Sequence, residues 1–430
     1  AVCHRLAKEG AHVVAVDLSL ESAQETADEL TNIYGKGIGV AGSGISNCGP
    51  AIALQCDITD RDSIRTMLED VCLAYGGIDN VIVTAGLFAA PDKDGNFNDK
   101  MWDLSYAINV IGHRVVHGGE KFFNSVVITD EVEAEIKANN KLAPLHNPAN
   151  LLGIQATKKL FPNLKQVAVF DTAFHQTLAK KAFLYAIPYS LYQLEGIRKY
   201  GFHGTSHRYV AEQASQLLDK KFSESYLITA HLGNGCSICA IKNGESVDTS
   251  MGFTPLGGIC MGTRSGDVDP GLLSFLVNEL SYSMEQVEQV LNKQSGLLGI
   301  SQLSNDCREL QEAAQAGNKQ AELALDVFSY QIAKTIAAYT VPLGKLDAIV
   351  FTGGIGENSA YVRAKVVSLL TIFGLVLSEQ ENMNKRFGEQ GCITSNDGIK
   401  ALVIPTNEEL VIALDAIALL QDTSNEKEIC

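Results

Sequence analysis

The run LDAIVFTGGIGEN (Leu346–Asn358) limits the fold more than any other stretch. A short apolar, β-branched run without polar alternation stops abruptly at a pair of glycines. Such a run is a strand buried on both faces, and strands of that kind belong to parallel sheets covered by helices on either side. A helix is expected from about Ser359. KALVIPTNEELVIALDAIALL, from Lys400, repeats the pattern of strand, polar turn and helix. KQVAVFD (Lys165–Asp171) and YLITAHLG (Tyr226–Gly233) are further strands, and SICAIKNGESVDTS holds two short strands around Asn243–Gly244, a hairpin signal. Turns where a strand hands over to a helix are where α/β folds bind nucleotides and phosphates.

The side chains at these turns are unusual. Most surface turns use Gly, Asn, Asp and Ser. Here His and Arg are added, in HRVVHGGE (His113–Glu120), PLHNP (Pro144–Pro148), FDTAFH (Phe170–His175), FHGTSH (Phe202–His207), HLGNG (His231–Gly235), GTRSGD (Gly262–Asp267) and NDCR (Asn305–Arg308). Seven of the nine His fall between His113 and His231. The net charge of −16 argues against nucleic acid or anionic membrane as a partner. Imidazole and guanidinium gathered locally in an acidic chain therefore point to a pocket for a small anion. The ten Cys show no disulfide-framework spacing, which fits a reducing cytoplasm, and no run has the apolar length of a membrane span. His203 and His207 have an i, i+4 zinc spacing, but Gly204, Thr205 and Ser206 make a poor helix interior and no acid accompanies them. CSIC (Cys236–Cys239) has no partner pair and reads as buried structure.

The first 112 residues have a different rhythm. HVVAVD (His12–Asp17), AIALQCD (Ala51–Asp57) and NVIVTAG (Asn80–Gly86) alternate with the helical runs LESAQETADELTNIY and DSIRTMLEDVCLAYGG, a βαβ pattern of a parallel, doubly wound sheet. Asp17, the CDIT run Cys56–Thr59, TAG at Thr84–Gly86 and Asn109 stand in the order that resembles a short-chain dehydrogenase/reductase. That likeness implies a Rossmann-like fragment without its catalytic machinery. Its pyrophosphate-cradling glycine turn would lie before Ala1, which falls in mid-helix, so the chain is expected to be a fragment. The Ser and Tyr-x-x-x-Lys of hydride transfer do not follow Asn109. Tyr330 and Lys334 have that spacing but sit in a long amphipathic run, and GIGVAG (Gly37–Gly42) follows a helix rather than a strand, so it reads as a loop.

From His113 to about Leu420 the ordered motifs GHRVVHGGE, APLHNP, VAVFDTAFH, YGFHGTSH, HLGNG, DTSMGFTPL, MGTRSGD, SGLLG, DCR, FTGGIGEN and IPTNEEL resemble the acetate kinase (acetokinase) family. The resemblance implies the acetate and sugar kinase–actin fold, an α/β architecture of two RNase H-like lobes with a nucleotide cleft. It also implies transfer of the terminal phosphoryl of ATP to acetate, with Mg2+, in a cytoplasmic homodimer that binds small molecules only. By motif match Arg114 would hold the carboxylate or the incoming phosphoryl group, and Arg264 would clamp the developing charge, two tasks suited to a planar guanidinium. His203 would stabilise the phosphoryl group in flight, with His146 nearby. Asp171 would orient the Arg or act on the carboxyl group. His231, Leu232, Gly233, Asn234 and Gly235, together with Asp306, Cys307 and Arg308 and with Gly353, Gly354, Ile355, Gly356 and Glu357, would line the nucleotide. Glu408, in preference to Glu409, would reach magnesium directly or through water.

The family opens with a strand and an Asn-x-Gly-Ser-Ser-Ser-x-Lys turn that has no counterpart here; SNCGPA (Ser46–Ala51) lacks its serines and Lys. The expected organisation is therefore a dehydrogenase-like fragment over 1–112 and an acetokinase-like region over 113–430. That second region lacks its N-terminal strands, its first lobe surviving in 113–170 and 409–430 and its nucleotide lobe spanning 171–408. INVIGHRVVHGGEK (Ile108–Lys121) is the join, with Asn109 on the dehydrogenase side and GHRVVHGGEK on the kinase side. We expect a splice of two gene fragments whose kinase activity is impaired. The alternatives are an NAD(P)-dependent oxidoreductase and an inactive nucleotide-binding chimera.

Overall fold

The computed structural model describes residues 13–17, 19–34, 51–56, 63, 65–67, 70–71, 81–82, 110–144, 146–162, 164–395 and 397–425. The chain divides into two compact units, one of Ala1–Arg114, Leu151–Val167 and Ala416–Cys430, the other of Val115–Asn150 and Ala168–Asp415. Asp57, residues 57–59 of CDIT, Thr84–Gly86, Asn109, Gly37–Gly42 and residues 46–50 lie outside the described residues.

In the first unit β1 (Val13–Asp17) and β2 (Ala51–Gln55) pair in parallel, with Val13 opposite Ala51. The helix Leu20–Tyr34 follows β1, so this is the βαβ arrangement its sequence rhythm requires. Ala27 and Leu30 of that helix pack on Val13 and Ala51, while Gln24 and Asp28, one turn apart on the outer face, bond each other. The Asp17 carboxylate accepts the Ser19 N–H at 2.9 Å. β3 (Val81–Ile82) does not extend this parallel pair; it runs antiparallel to β4 (Val110–Val115), with Val81 opposite Gly112. Apolar runs specify a strand but leave its partner and direction open. Along β4 the His113 imidazole meets Gln166 at 2.8 Å and is buried, which lowers its pKa.

Among the later strands, β5 (Val126–Val127) and β6 (Lys165–Phe170) precede the main sheet of the second unit. That sheet comprises β7 (Tyr226–Leu232), β8 (Cys236–Lys242), β9 (Glu245–Thr249), β10 (Ala348–Thr352), β11 (Gly391–Cys392) and β12 (Lys400–Val403), in the order β11-β12-β10-β7-β8-β9. The three central strands β12, β10 and β7 are parallel. Alternation then assigns the faces. Ile228, Ala230, Leu232, Ile349, Phe351, Ala401 and Val403 pack with Phe328 and Ile332 of the helix Lys319–Ala338 and with Val362 and Val366 of the helix Ala360–Leu369. Leu227, Cys239, Ile241, Ala348, Val350 and Leu402 pack instead on Val210, Ala211 and Ala214 of the helix Gly204–Leu217. The unit is a helix–sheet–helix sandwich around strands covered on both faces, as the apolar runs demand. The Asn243–Gly244 hairpin joins β8 to β9 with both residues at positive φ, the signature of a type I′ turn.

Two local readings need correction. The glycine segment after β10, read as a turn, is itself a short helix, Gly353–Asn358, and the helix expected from about Ser359 follows it as Ala360–Leu369 with Ser359 as N-cap. Gly353 makes this entry possible: it has φ +75°, and a Cβ there would lie 2.8 Å from the Leu232 carbonyl oxygen. The segment Gly204–Ser206 is also helical, forming the first turn of Gly204–Leu217. Gly204 seats that turn, because any Cβ would come within 2.4 Å of the Asp171 carbonyl oxygen.

The short glycine helix is anchored from behind by Arg363, a fully buried side chain. Its Nη1 donates to the carbonyls of Gly356 (2.9 Å) and Glu357 (2.6 Å), and Nη2 and Nε donate to Asn382 and Lys385 oxygens. Burial pushes its pKa down to about 10, still charged at neutral pH. Arg363→Met, which fills the space but strands those carbonyls, is expected to cost roughly 3 kcal/mol or more in urea unfolding. Gly353→Ala should cost more than about 1 kcal/mol, whereas Gly354→Ala, with nothing within 4 Å of its added carbon, should be neutral or stabilising. Equal midpoints for the two Ala variants would contradict the assigned backbone geometry.

Candidate functional site

The parallel register places His231, at the end of β7, opposite Thr352, at the end of β10. Gly233–Gly235 turns the chain from β7 into β8, and Gly353 turns it from β10 into the glycine helix. Two of the sequence-derived motifs therefore meet at one sheet edge. Thr406, after β12, joins them: its N–H and that of Gly353 both donate to Glu357 Oε1, at 3.1 and 2.8 Å. Burial raises the Glu357 pKa, and these donors oppose the shift.

FHGTSH arrives from the face of the helix Gly204–Leu217. His203 is its N-cap, held in the left-handed region at φ +56°. Its ring stacks on that of His231, with centroids 4.2 Å apart. A carbon added to Gly235 would lie 3.4 Å from His203 Nε2 and 3.4 Å from Arg264 Nη1. The structure therefore brings His203, Arg264, His231 and Gly235 together. Arg264 reaches this point from a tight turn in which the Met261 N–H donates to the Arg264 carbonyl (3.1 Å), and Nη1 also donates to the Pro255 carbonyl (3.3 Å). Gly296 locks the turn; a Cβ there would sit 2.2 Å from the Met261 oxygen. Partial burial lowers the Arg264 pKa from its ordinary value, which leaves it a cation at neutral pH.

The other expected residues divide. Asp171 is buried, and its carbonyl accepts the Gly204 N–H at 2.9 Å, so it sits under the first turn of the His203 helix. Asn234 is exposed; its carbonyl accepts the Gly262 N–H (3.2 Å), and its side chain accepts from Asn305 (3.2 Å), which draws NDCR towards HLGNG. Asp306 caps the helix Cys307–Gln315 and pairs with Arg308 at 2.9 Å, while Cys307 is buried. Leu232, Gly353 and Gly356 are buried, Ile355 is half-buried against the core, and Gly354 is exposed. His146 is half-buried in the turn before the helix Asn147–Leu160. Glu408 opens the helix Glu408–Asn425, two residues beyond Thr406. Arg114 is an exposed residue of β4 and belongs to the first unit.

Several imidazoles that sequence grouped with the site are buried and bonded within the fold. His117 is wholly buried against Tyr200, and His175 bonds Ser246 Oγ (2.8 Å) and the Phe202 carbonyl (2.9 Å). His207 bonds Thr229 Oγ1 and Ser237 Oγ, both at 2.7 Å, so hydroxyls take its two nitrogens. Ser237, Thr229, Ser206, Thr406 and Arg363 were missed in sequence. The signal for the first two was the period of two along YLITAHL and SICAIK, which puts them on the His231 face. Cys236 and Cys239 are buried, which raises both thiol pKa values and makes them inert. Tyr330 lies exposed within the helix Lys319–Ala338. Among the described residues no group of three His, Cys, Asp or Glu is arranged to hold a metal, and no helix is long and apolar enough to cross a membrane.

Cationic and imidazole donors above a glycine turn, at the carboxyl edge of a parallel sheet, define the class: an α/β phosphotransferase. Residues 95–414 match the model of the acetokinase family, and residues 1–118 match that of short chain dehydrogenase. The acetate kinase of Shewanella loihica is 58% identical over 319 residues, 74% of this chain and 80% of that protein. In solved structures, Porphyromonas gingivalis acetate kinase aligns with a TM-score of 0.70 at 45% identity, covering 76% of this chain and 82% of that one. A propionate kinase from Francisella tularensis aligns at 0.69 and 44%, covering 83% and 84%. The chain belongs to the acetokinase family and has the acetate and sugar kinase fold, with a dehydrogenase-like segment at its start.

The buried imidazoles set an acid limit on stability. Burial pulls the pKa of His117 down to about 3 and that of His175 to about 4, from an ordinary 6.5. The folded state therefore holds both rings neutral, while the unfolded state takes up protons below pH 6.5. Stability from this source is complete above pH 6.5 and declines as pH falls towards 4 and 3. Urea midpoints should fall between pH 7 and pH 5, and His175→Gln should flatten the decline; a midpoint constant over that range would refute the assignment.

Proposed function

We propose that this chain transfers the terminal phosphoryl group of ATP to the carboxylate of acetate, giving acetyl phosphate and ADP. The observation that carries the reading is the convergence of the His203 imidazole and the Arg264 guanidinium on Gly235. Phosphoryl transfer needs positioned charge more than covalent chemistry. An acetate oxygen bonds to the γ-phosphorus as the bond from phosphorus to the β–γ bridging oxygen breaks, and negative charge spreads over the equatorial oxygens. Arg264 is assigned to those oxygens, with two parallel N–H donors available. His203 donates to the group in flight, with His146 as its neighbour in role. Arg114 is assigned to the carboxylate or the incoming phosphoryl group, and Asp171 to orienting an Arg or acting on the carboxyl group. His231–Gly235, Asp306–Arg308 and Gly353–Glu357 are assigned to the nucleotide, where glycine lets backbone N–H groups approach phosphates closely.

Magnesium is assigned to Glu408, directly or through water. The donor set suits it: Mg2+ keeps most of its waters and takes one or two carboxylates plus substrate phosphates, so it needs no cluster of protein ligands. Bound there, it would neutralise phosphate charge. We assign 113–170 with 409–430 to the remainder of the first lobe and 171–408 to the nucleotide lobe, and we extend the reading to a cytoplasmic homodimer. Acyl phosphate trapped as the hydroxamate, with ATP and acetate supplied, is the test. Arg264→Ala should lower kcat by about a hundredfold to a thousandfold. An unchanged kcat would remove Arg264 from the reaction. The same assay beside the Shewanella loihica enzyme, with propionate as the second acceptor, reads both the relative rate and the acyl preference.

A further inference from the structure

His203 and His231 each rest on a chain of hydroxyl groups that the proposed chemistry does not use. His203 Nδ1 meets Ser237 Oγ at 2.8 Å, the same oxygen meets His207 Nε2 at 2.7 Å, and His207 Nδ1 meets Thr229 Oγ1 at 2.7 Å. Four side chains thus share three short bonds, and Ser237, His207 and Thr229 are all wholly buried. His231 Nδ1 meets Ser206 Oγ at 2.8 Å, and Ser206 in turn accepts from Thr406 Oγ1 at 2.8 Å.

Ser237 Oγ is wholly buried between the two imidazoles, so its one proton goes to one ring or the other, and with both rings neutral the His203 chain runs in one of two directions. In one, Thr229 donates to His207 Nδ1, His207 Nε2–H donates to Ser237, and Ser237 donates to His203 Nδ1. The His203 proton then sits on Nε2. In the other every donor reverses, and the Thr229 hydroxyl hydrogen must find a second acceptor. Thr229 is in mid-strand with 0% exposure, and His207 is the partner its hydroxyl makes. The reversed chain therefore buries a donor without an acceptor, which native interiors avoid. Burial, with His175 and His231 close by, holds the His207 pKa well below its ordinary value, so that ring carries the single proton the first direction requires.

We infer that Thr229, His207 and Ser237 are positioning residues that fix the His203 proton on Nε2, the nitrogen that shares Gly235 with Arg264 Nη1. The ring is thereby aimed as a donor at an oxyanion while staying neutral, and it need not carry a second positive charge beside Arg264. The groups facing this relay are His231 stacked on His203, Arg264 across Gly235, His175 5.7 Å from His207, and Cys239 beside His175. This inference rests on the assignment of His203 to the phosphoryl group.

The test is made on the full chain. With 15N-labelled histidine, the His203 signal should report the Nε2–H tautomer in the wild type and a mixture in Ser237→Ala and Thr229→Val. In Ser237→Ala, kcat should fall by about tenfold or more at alkaline pH, with KM for ATP held within about twofold. The loss should shrink at acid pH, where an imidazolium carries the Nε2 proton whatever its neighbour. Ser237→Thr should restore both readouts, which a simple packing defect would not allow. A wild-type Nδ1–H tautomer, or a Ser237→Ala deficit independent of pH, overturns the relay. If His203→Ala leaves kcat intact, the catalytic assignment of His203 fails, and the tautomer spectrum still judges the relay by itself.

Discussion

The site depends first on the parallel register of β7 and β10. With His231 opposite Thr352, two strands end at one level and their following turns emerge side by side. The backbone bonds of Gly353 and Thr406 to Glu357 tie in the third central strand through its following loop. Loops at the carboxyl ends of parallel strands carry binding groups in many chemistries because the sheet fixes their spacing. Here it sets the glycine turn after β7 against the glycine helix after β10, so close that only Gly fits at 353.

Polarity along one face of the sheet follows from the same register. On β7, Leu227, Thr229 and His231 point to one side; on antiparallel β8 their partners are Ile241, Cys239 and Ser237. The face is apolar where it underlies the middle of the helix Gly204–Leu217 and polar beneath its first turn. Buried hydroxyls and imidazoles are tolerated there because they bond to one another, and a half-satisfied network would destabilise the fold. The requirement is mutual. Helix entry at Gly204 on the Asp171 carbonyl brings His207 over Thr229 and puts His203 above the turn.

Much of this was legible in the sequence. The buried strands Tyr226–Leu232 and Ala348–Thr352, the Asn243–Gly244 hairpin and the motif order all follow from local pattern. Helices that begin at glycine were not. Propensity counts Gly204 and Gly353 against helix, whereas tertiary contacts with carbonyl oxygens require glycine at both. Ser237, Thr229 and Thr406 are ordinary polar residues until the register is known, and Arg363 reads as one more surface cation until it is found wholly buried. For His117, His175 and His207 residue type announces chemistry, but burial and bonded partners decide what each ring does.

The overlap of the two family matches, residues 95–118, contains β4. A strand is a place where two unrelated sequences can meet with little local cost, because each asks for the same thing: apolar side chains at a period of two, in one register. On one face of VIGHRV the alternate residues Ile111, His113 and Val115 are buried, and Val110 is buried on the other. The kinase-like half of the strand adds its own constraint. His113 reaches Gln166, and the Val115 carbonyl accepts the Asp171 N–H at 3.0 Å. A slip of one residue in this strand would turn His113 away from Gln166 and expose Val115. The strand also leads directly to the segment that supports Asp171, and through its carbonyl the helix that carries His203. A register shift at Val115 would therefore be felt at the Asp171 carbonyl on which that helix starts.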